Sequence, residues 1–296
     1  MVVLDWRCDY RMGKIIDGKK ISNEIKDGLK EIVADLNKKN IHPKLVVVQV
    51  GNDEASSIYI NGKRKDCEYV GIEFELIKLD ENIDEDTLLD VLYDLNYYDD
   101  VNGIIVQLPL PEHINEKLVM QSINPDKDVD GFSTKNMGNI FTGDYVHSFA
   151  CCTPRGIVEL LKASGVELEG KECVVIGRSN HVGKQTAVLL TEENATVTLA
   201  HSKTRNLKEI TRRADIVVAA LGKPKFIKSE HLKDGVVVVD VGIHRDTNGK
   251  VCGDVDFDDV IEKVGAITPV PGGVGLMTRA MLLSNCILSS VRTGRV

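Results

Sequence analysis

The strongest constraint on what this chain can fold into is a rhythm. From Gly18 onward, stretches whose apolar residues recur at helical spacing alternate with short runs that are apolar at nearly every position. Ile21, Ile25, Leu29, Ile32, Val33 and Leu36 mark one face of a first helix, and Lys44–Val50 follows as a strand apolar on both faces. Such a strand has to be covered on both sides, which calls for a parallel sheet flanked by helices. The pattern continues with a helix over 54–70, a strand over 73–79, a helix over 87–96 and a strand over 103–108. It lapses over 124–150, which is rich in Pro, Asp and Gly and reads as a long loop region. Loops of that length are functional or disordered. Thr153-Pro154 then marks an N-cap and first-turn proline for a helix to 163. A second series follows, with strands over 172–176, 196–200, 215–221, 236–241 and 266–269 and helices over 182–193 and 207–213. A last helix over 277–291 is expected to pack back on the first half. The chain reads as α/β with two domains, one over 12–153 plus 277–296 and one over 154–276.

Composition narrows the functional classes. With 37 basic and 45 acidic residues the net charge is −8, which argues against an extended phosphate-binding surface, so no nucleic-acid partner is expected. No apolar run approaches the roughly 18 residues of a membrane helix, so no membrane association is expected either. The seven cysteines are scattered and lack Cys-x-x-Cys spacing, and read as reduced thiols of a cytoplasmic protein. No secretory signal opens the chain, and residues 1–11 look like an extension without function. The seven histidines show no ligand pairing, and no metal is expected.

One turn between strand and helix carries chemistry. Val174-Val175-Ile176-Gly177-Arg178-Ser179-Asn180-His181-Val182-Gly183 puts one glycine at a strand end and another inside the following helix, where backbone N–H groups can hold a pyrophosphate. The spacing is one residue longer than Gly-x-Gly-x-x-Gly, with Ser179 in the middle, and an ordinary glycine turn would look the same. The next strand ends in His201-Ser202-Lys203-Thr204, without the carboxylate that binds the ribose 2′-hydroxyl of NAD. Arg178, Ser202 and Lys203 could instead surround a 2′-phosphate, which favours NADP. Lys203 and Arg205 read equally well as solvated surface charges. Gly183-Lys184-Gln185 is not a P-loop, because the first glycine and the Mg²⁺-binding hydroxyl are both missing.

In the first half, Tyr59 and Lys63 lie four apart on one helix face and pair a stacking surface with a proton-transfer group. Taken alone, the pair reads more readily as a solvated lysine on an amphipathic helix than as a functional pair. Gln107 ends a buried strand, either as a cap or as a polar group facing a ligand. Asp126, Asp128 and Asp130 could accept hydrogen bonds from a nitrogen heterocycle, and they lack the ligand pattern of a calcium loop. Pro271-Gly272-Gly273-Val274-Gly275 either approaches a ligand or reverses the chain.

Taken together, these stretches resemble the bifunctional methylenetetrahydrofolate dehydrogenase/methenyltetrahydrofolate cyclohydrolases. The matches are Tyr59-Ile60-Asn61-Gly62-Lys63-Arg64-Lys65, Gln107-Leu108-Pro109-Leu110-Pro111, Lys127-Asp128-Val129-Asp130-Gly131, Thr153-Pro154-Arg155-Gly156, Gly177-Arg178-Ser179-Asn180, His201-Ser202, Asp240-Val241-Gly242-Ile243 and 271–275. The resemblance implies a folate-binding catalytic domain and a Rossmann-like NADP domain with the active site in a cleft between them. It implies Lys63 as catalytic lysine, Gln107 tuning it, Tyr59 stacking on the folate and Asp130 holding the pterin. Ile60, Asn61, Gly62, Val106, Leu108 and Pro271, Gly272, Gly273, Val274, Gly275 would border the substrate. Gly177, Arg178, Ser179, Ser202 and Ile243 would contact NADP. It further implies tetrahydrofolate derivatives as ligands, a cytoplasmic homodimer, and a place in one-carbon metabolism serving purine and amino-acid biosynthesis. His181, Gln185, His244 and Leu276 depart from the common family pattern. Three other readings compete: a dehydrogenase with weak or absent cyclohydrolase activity, a silent dinucleotide- or folate-binding regulator, and a Rossmann dehydrogenase for another small substrate.

Overall fold

The structure is a computed structural model that describes residues 14–246 and 249–293; the 1–11 segment and Cys8 lie outside the described residues. It resolves into two compact α/β units. One comprises Lys19–Gly156 with the described residues from Leu276 on, and the other residues 14–18 with Ile157–Gly275.

The first unit is built on a three-stranded parallel sheet with Lys44–Val50 in the centre, Glu73–Leu79 on one side and Gly103–Val106 on the other. The central strand is buried from Leu45 to Val50, which explains its unbroken apolar run. The edge strand Glu73–Leu79 carries Glu73, Glu75 and Lys78, charges that discourage pairing with another sheet edge. Val46, Val48, Ile104 and Val106 pack against Leu88, Leu92 and Leu95 of the helix Glu85–Tyr97. The helix Glu54–Val70 starts where the Asp53 side chain accepts from Ser56 N and stops at Gly71, whose φ of 93° only glycine adopts without strain.

Three expectations are corrected in this unit. Residues 124–150 are not one long loop: the helix Thr134–Phe141 lies inside, capped by Ser133. Its apolar residues Met137, Ile140 and Phe141 do have helical spacing, but eight residues are too short a stretch for that pattern to stand out from the Pro, Asp and Gly around it. The helix Cys152–Ala163 begins a residue before Thr153, whose hydroxyl instead meets that of Thr278 at 2.9 Å. The last helix spans Val274–Thr293, and by length and composition it is apolar enough to cross a membrane, contrary to the sequence reading. From Met277 on, much of its apolar surface is buried, including Met277, Met281, Leu283 and Ile287, as in a core helix. Asn285, Ser289 and Ser290 interrupt its apolar run in the sequence, yet all three are buried with hydrogen-bond partners.

The second unit is a six-stranded parallel sheet in the order Lys14–Ile15, Ala266–Ile267, Val237–Asp240, Ile216–Ala219, Glu172–Ile176, Thr196–Ala200. Lys14–Ile15 pairs in parallel with Ala266–Ile267, so residues 14–18 belong here and not with the folate-binding half where the sequence reading placed them. Two residues carry no periodicity, so only pairing reveals this strand. The six described cysteines are buried and unbridged.

Candidate functional site

In the second unit the chain runs from the strand Glu172–Ile176 to Thr196–Ala200 on one side, and then to Ile216–Ala219 on the other. A reversal of this kind opens a crevice at the carboxyl ends of the strands, where open parallel sheets bind ligands. Gly177 stands there with φ of 136°, and a Cβ on it would lie 2.0 Å from the Ala220 carbonyl oxygen. A Cβ on Gly183 would meet the Gly177 carbonyl at the same distance. Both positions therefore exclude side chains, as the motif requires. The extra residue in the motif is taken up by a wide turn: Asn180–Lys184 is π-helical, with Lys184 N donating to Ser179 O at 3.1 Å. Ser179 caps this turn by accepting from Gly183 N.

Arg178 and Ser202 are exposed beside these turns, and Arg178 makes no hydrogen bond or ion pair among the described residues. The turn that presents Ser202 is held internally: His201 N donates to Thr204 Oγ1 at 2.8 Å, and Lys203 N to His201 Nδ1 at 3.1 Å. Ile243 is 51% exposed, and a Cβ on Gly275 would lie 3.7 Å from its side chain. The structure thus brings a residue expected at the cofactor beside one expected at the folate.

Two buried aspartates hold these loops: Asp254, which the sequence reasoning missed, and Asp240, which it quoted in a matched stretch without a role. Asp254 accepts from the backbone N–H groups of Leu221, Gly222 and Lys223 and from His244 Nε2 at 2.8 Å. Asp240 accepts from the N–H groups of Gly242, Asp254 and Val255, and burial pushes its carboxyl up to about 6. The glycines next to them were the available signal, since a Cβ on Gly253 would lie 1.9 Å from Asp240 Oδ2.

In the first unit Lys63 Nζ donates to Gln107 Oε1 at 3.1 Å, joining the helix Glu54–Val70 to the end of the strand Gly103–Val106. Gln107 Nε2 donates to Leu108 O at 2.8 Å, so the amide presents its oxygen to the lysine. Ser56 Oγ reaches the same carbonyl. Tyr59 lies one turn before Lys63 and is 47% exposed, leaving its ring available for stacking. Ile60 and Val106, expected to border the substrate, have their side chains buried in the interior, at most 3% exposed. Asn61 is exposed and accepts from Arg64.

The three carboxylates of 126–130 separate by role. Asp128 turns inward and accepts from the N–H groups of Gly131, Phe132 and Ser133 and from Asn136 Nδ2, and burial pushes its carboxyl up to about 6. Asp130 is half-buried and makes no hydrogen bond or ion pair among the described residues, which leaves it free for a ligand. Its loop is clamped: Asn285 Nδ2 donates to Val129 O at 2.8 Å, and Arg155 donates to Asn285 Oδ1 at 2.7 Å. Burial pushes the Cys152 thiol well up; Asp130 adds to this and Lys63 opposes it, so both charges act in one neighbourhood. No group of three or more His, Cys, Asp or Glu among the described residues could hold a metal ion.

Residues 16–130 match the tetrahydrofolate dehydrogenase/cyclohydrolase catalytic domain, and residues 151–293 match the NAD(P)-binding domain of the same family. The chain belongs to the tetrahydrofolate dehydrogenase/cyclohydrolase family. Within this family it is 57% identical over 276 residues to the bifunctional protein FolD of Lachnoclostridium phytofermentans, covering 93% of this chain and 97% of that one. The crystal structure of the FolD methylenetetrahydrofolate dehydrogenase/cyclohydrolase from Campylobacter jejuni superposes with a TM-score of 0.92 at 46% identity, covering 94% of this chain and 99% of that one. The Trypanosoma brucei FolD structure, complexed with NADP cofactor and inhibitor, gives 0.89 at 36%, covering 96% and 99%.

Proposed function

We propose that this family member oxidises 5,10-methylenetetrahydrofolate to 5,10-methenyltetrahydrofolate with NADP and then hydrolyses the product to 10-formyltetrahydrofolate. The Lys63–Gln107 hydrogen bond is the observation that carries this reading. NADP suits the second unit: two side-chain-free glycine positions lie at the switch point, Arg178 and Ser202 stand exposed beside it, and no carboxylate ends the second strand to repel a 2′-phosphate. When bound, it accepts the hydride. That step asks the protein chiefly for orientation, which Tyr59 supplies by stacking and Asp130 by accepting hydrogen bonds from the pterin.

The methenyl product is electrophilic, and water adds to its carbon. The addition needs a proton removed from water and later one delivered to the departing ring nitrogen, and Lys63 is the group placed to do both. Gln107 holds Lys63 through its amide oxygen and so fixes where the amine points. No observation favours a dehydrogenase lacking the second activity. Family resemblance supports a cytoplasmic homodimer serving purine and amino-acid biosynthesis, with sedimentation as the test of the dimer.

The deciding experiment gives the purified protein 5,10-methylenetetrahydrofolate with NADP or NAD and follows reduced cofactor and methenyl intermediate separately. Reduction of NADP with little methenyl build-up is expected. Methenyl accumulation would remove the cyclohydrolase half, and no cofactor reduction would remove the whole reading.

A further inference from the structure

On the helix that carries Lys63, a buried carboxylate gathers a buried lysine and a partly exposed arginine into a cluster of three charges that the reaction as described does not use. Asp66 sits one turn after Lys63 on the same helix, and its side chain is 10% exposed. Its Oδ1 is 3.0 Å from Lys26 Nζ, on the helix Gly18–Lys38, and its Oδ2 is 2.9 Å from Arg279 Nε, on the helix Val274–Thr293. Three helices of one unit therefore meet on a single carboxylate. Such a cluster is a poor device for stability alone, because taking charges out of water costs much of what their attraction returns, and apolar side chains of similar size serve as well.

The guanidinium shows what the cluster does. A Cβ on Gly62 would lie 2.0 Å from Arg279 Nη1. Gly62 and Asp66 are four apart and so share a face of the helix one turn from each other. Arg279 spans that turn, with Nε at ion-pair distance from the carboxylate but not hydrogen-bonded to Oδ2, and with Nη1 beside Gly62; Lys63 is the first of the three residues between those two points. A glycine inside a helix costs about 1 kcal/mol relative to alanine, and here it leaves the space that the end of the Arg279 side chain occupies. The planar fork of arginine can make both contacts at once, which a lysine in its place cannot.

We propose that Arg279, anchored by Asp66 and Lys26, is a positioning residue for Lys63: it locks the rotation of the helical turn that aims the lysine amine, and so acts on hydrolysis rather than on hydride transfer. The proposal rests on the reading of Lys63 as the proton-transfer group. Hydride transfer depends on where the substrate is held, whereas proton transfer depends on the amine lying within hydrogen-bond reach of the reacting water, so a small rotation of this turn affects the second far more.

The test uses the full-length enzyme and measures methenyltetrahydrofolate hydrolysis and NADP reduction separately for Arg279→Met, Lys63→Met and the double variant. Arg279→Met is expected to lower kcat for hydrolysis about tenfold or more, equivalent to about 1.4 kcal/mol, with kcat for NADP reduction changed less than about twofold. In the Lys63→Met background it is expected to add nothing, because its effect passes through Lys63. Arg279→Lys keeps a cation for Asp66 but has no second arm for Gly62; it serves if Arg279→Met does not fold, and the same split is expected in smaller measure. Equal losses of both activities in a folded variant, unchanged hydrolysis, or a full additional loss in the Lys63→Met background would each overturn the proposal. Full hydrolysis by Lys63→Met would instead overturn the reading of Lys63 on which it rests.

Discussion

The two units build their functional surfaces from opposite materials. In the nucleotide-binding unit the surface is mostly backbone: Gly177 and Gly183 clear space, the π-turn Asn180–Lys184 presents N–H groups, and Asp240 and Asp254 tie the neighbouring loops from below. In the folate-binding unit the surface is made of side chains: Tyr59 and Lys63 share one helix, Gln107 ends a strand and Asp130 stands on a loop, with Lys63 joined to Gln107 and the Asp130 loop clamped by Asn285. A backbone site tolerates most exchanges of exposed side chains but no added atom at its glycines. A side-chain site inverts that sensitivity.

Replacing Lys63 by Met should break this contrast most sharply. Hydrolysis of the methenyl substrate is expected to fall by about 10²–10⁴, the usual range for a lost proton-transfer group, while some hydride transfer survives. Unchanged hydrolysis would take Lys63 out of the reaction. The matching change in the other unit is Gly183→Ala, which forces a Cβ to within 2.0 Å of a backbone oxygen. It is expected to raise the KM for NADP by well over about tenfold, as backbone displacement at a pyrophosphate turn should, while direct titration shows folate binding nearly intact.

Arg178 tests a charged side chain in the otherwise backbone-built surface. Arg178→Ala should weaken NADP by about tenfold or more, the loss of one charge-assisted hydrogen-bonding partner, and NAD much less. Equal losses for both cofactors would show that Arg178 does not meet the 2′-phosphate. Asp254→Ala leaves three loop N–H groups and His244 without their acceptor. Thermal or urea unfolding is expected to report a loss of about 2–3 kcal/mol, with the KM for NADP rising and Lys63-dependent hydrolysis little changed.

The smallest expected effect compares the two units through pH. Asp128 in one and Asp240 in the other both have carboxyls pushed from the ordinary 3.8 up to about 6 by burial. A raised folded-state value means the folded protein holds the proton more tightly than the unfolded chain does. The stability each contributes is therefore full below pH 3.8 and is lost as pH rises through about 6. Asp240→Asn removes one share, so its unfolding midpoint should gain on that of the parent protein as pH is raised across that window. The opposite trend would show that the N–H donors around Asp240 outweigh its burial.

How far each site could be read in advance follows from the same contrast. The backbone site leaves marks in sequence, because positions that exclude a Cβ must be glycine, and the spacing of Gly177 and Gly183 and the absence of a carboxylate after Ala200 were readable before any coordinates. The Asp240 and Asp254 supports were not read, since the neighbouring glycines mark a crowded backbone without saying that a carboxylate accepting several N–H groups is what crowds it. Among the acidic residues of 126–130 the sequence could not say that Asp128 turns inward and Asp130 stays free, because that depends on where Asn136 and the N–H groups of 131–133 arrive. Ile60 and Val106 sit inside matched stretches, yet their side chains point into the core, an outcome set by helix phase and strand alternation against the packed unit.

Periodicity and glycine spacing in the sequence determined the α/β class, the two parallel sheets, the nucleotide-binding turn and the helix bearing Tyr59 and Lys63, because each is a local consequence of which faces are apolar and which positions admit a side chain. Contacts between distant residues were left to the tertiary structure. It decided that Lys14–Ile15 joins the second sheet, that Lys63 meets Gln107 44 residues later, and that Arg279 reaches back to Asp66 and Gly62. Such contacts depend on the three-dimensional packing of elements far apart in the chain, and no window of sequence contains both partners.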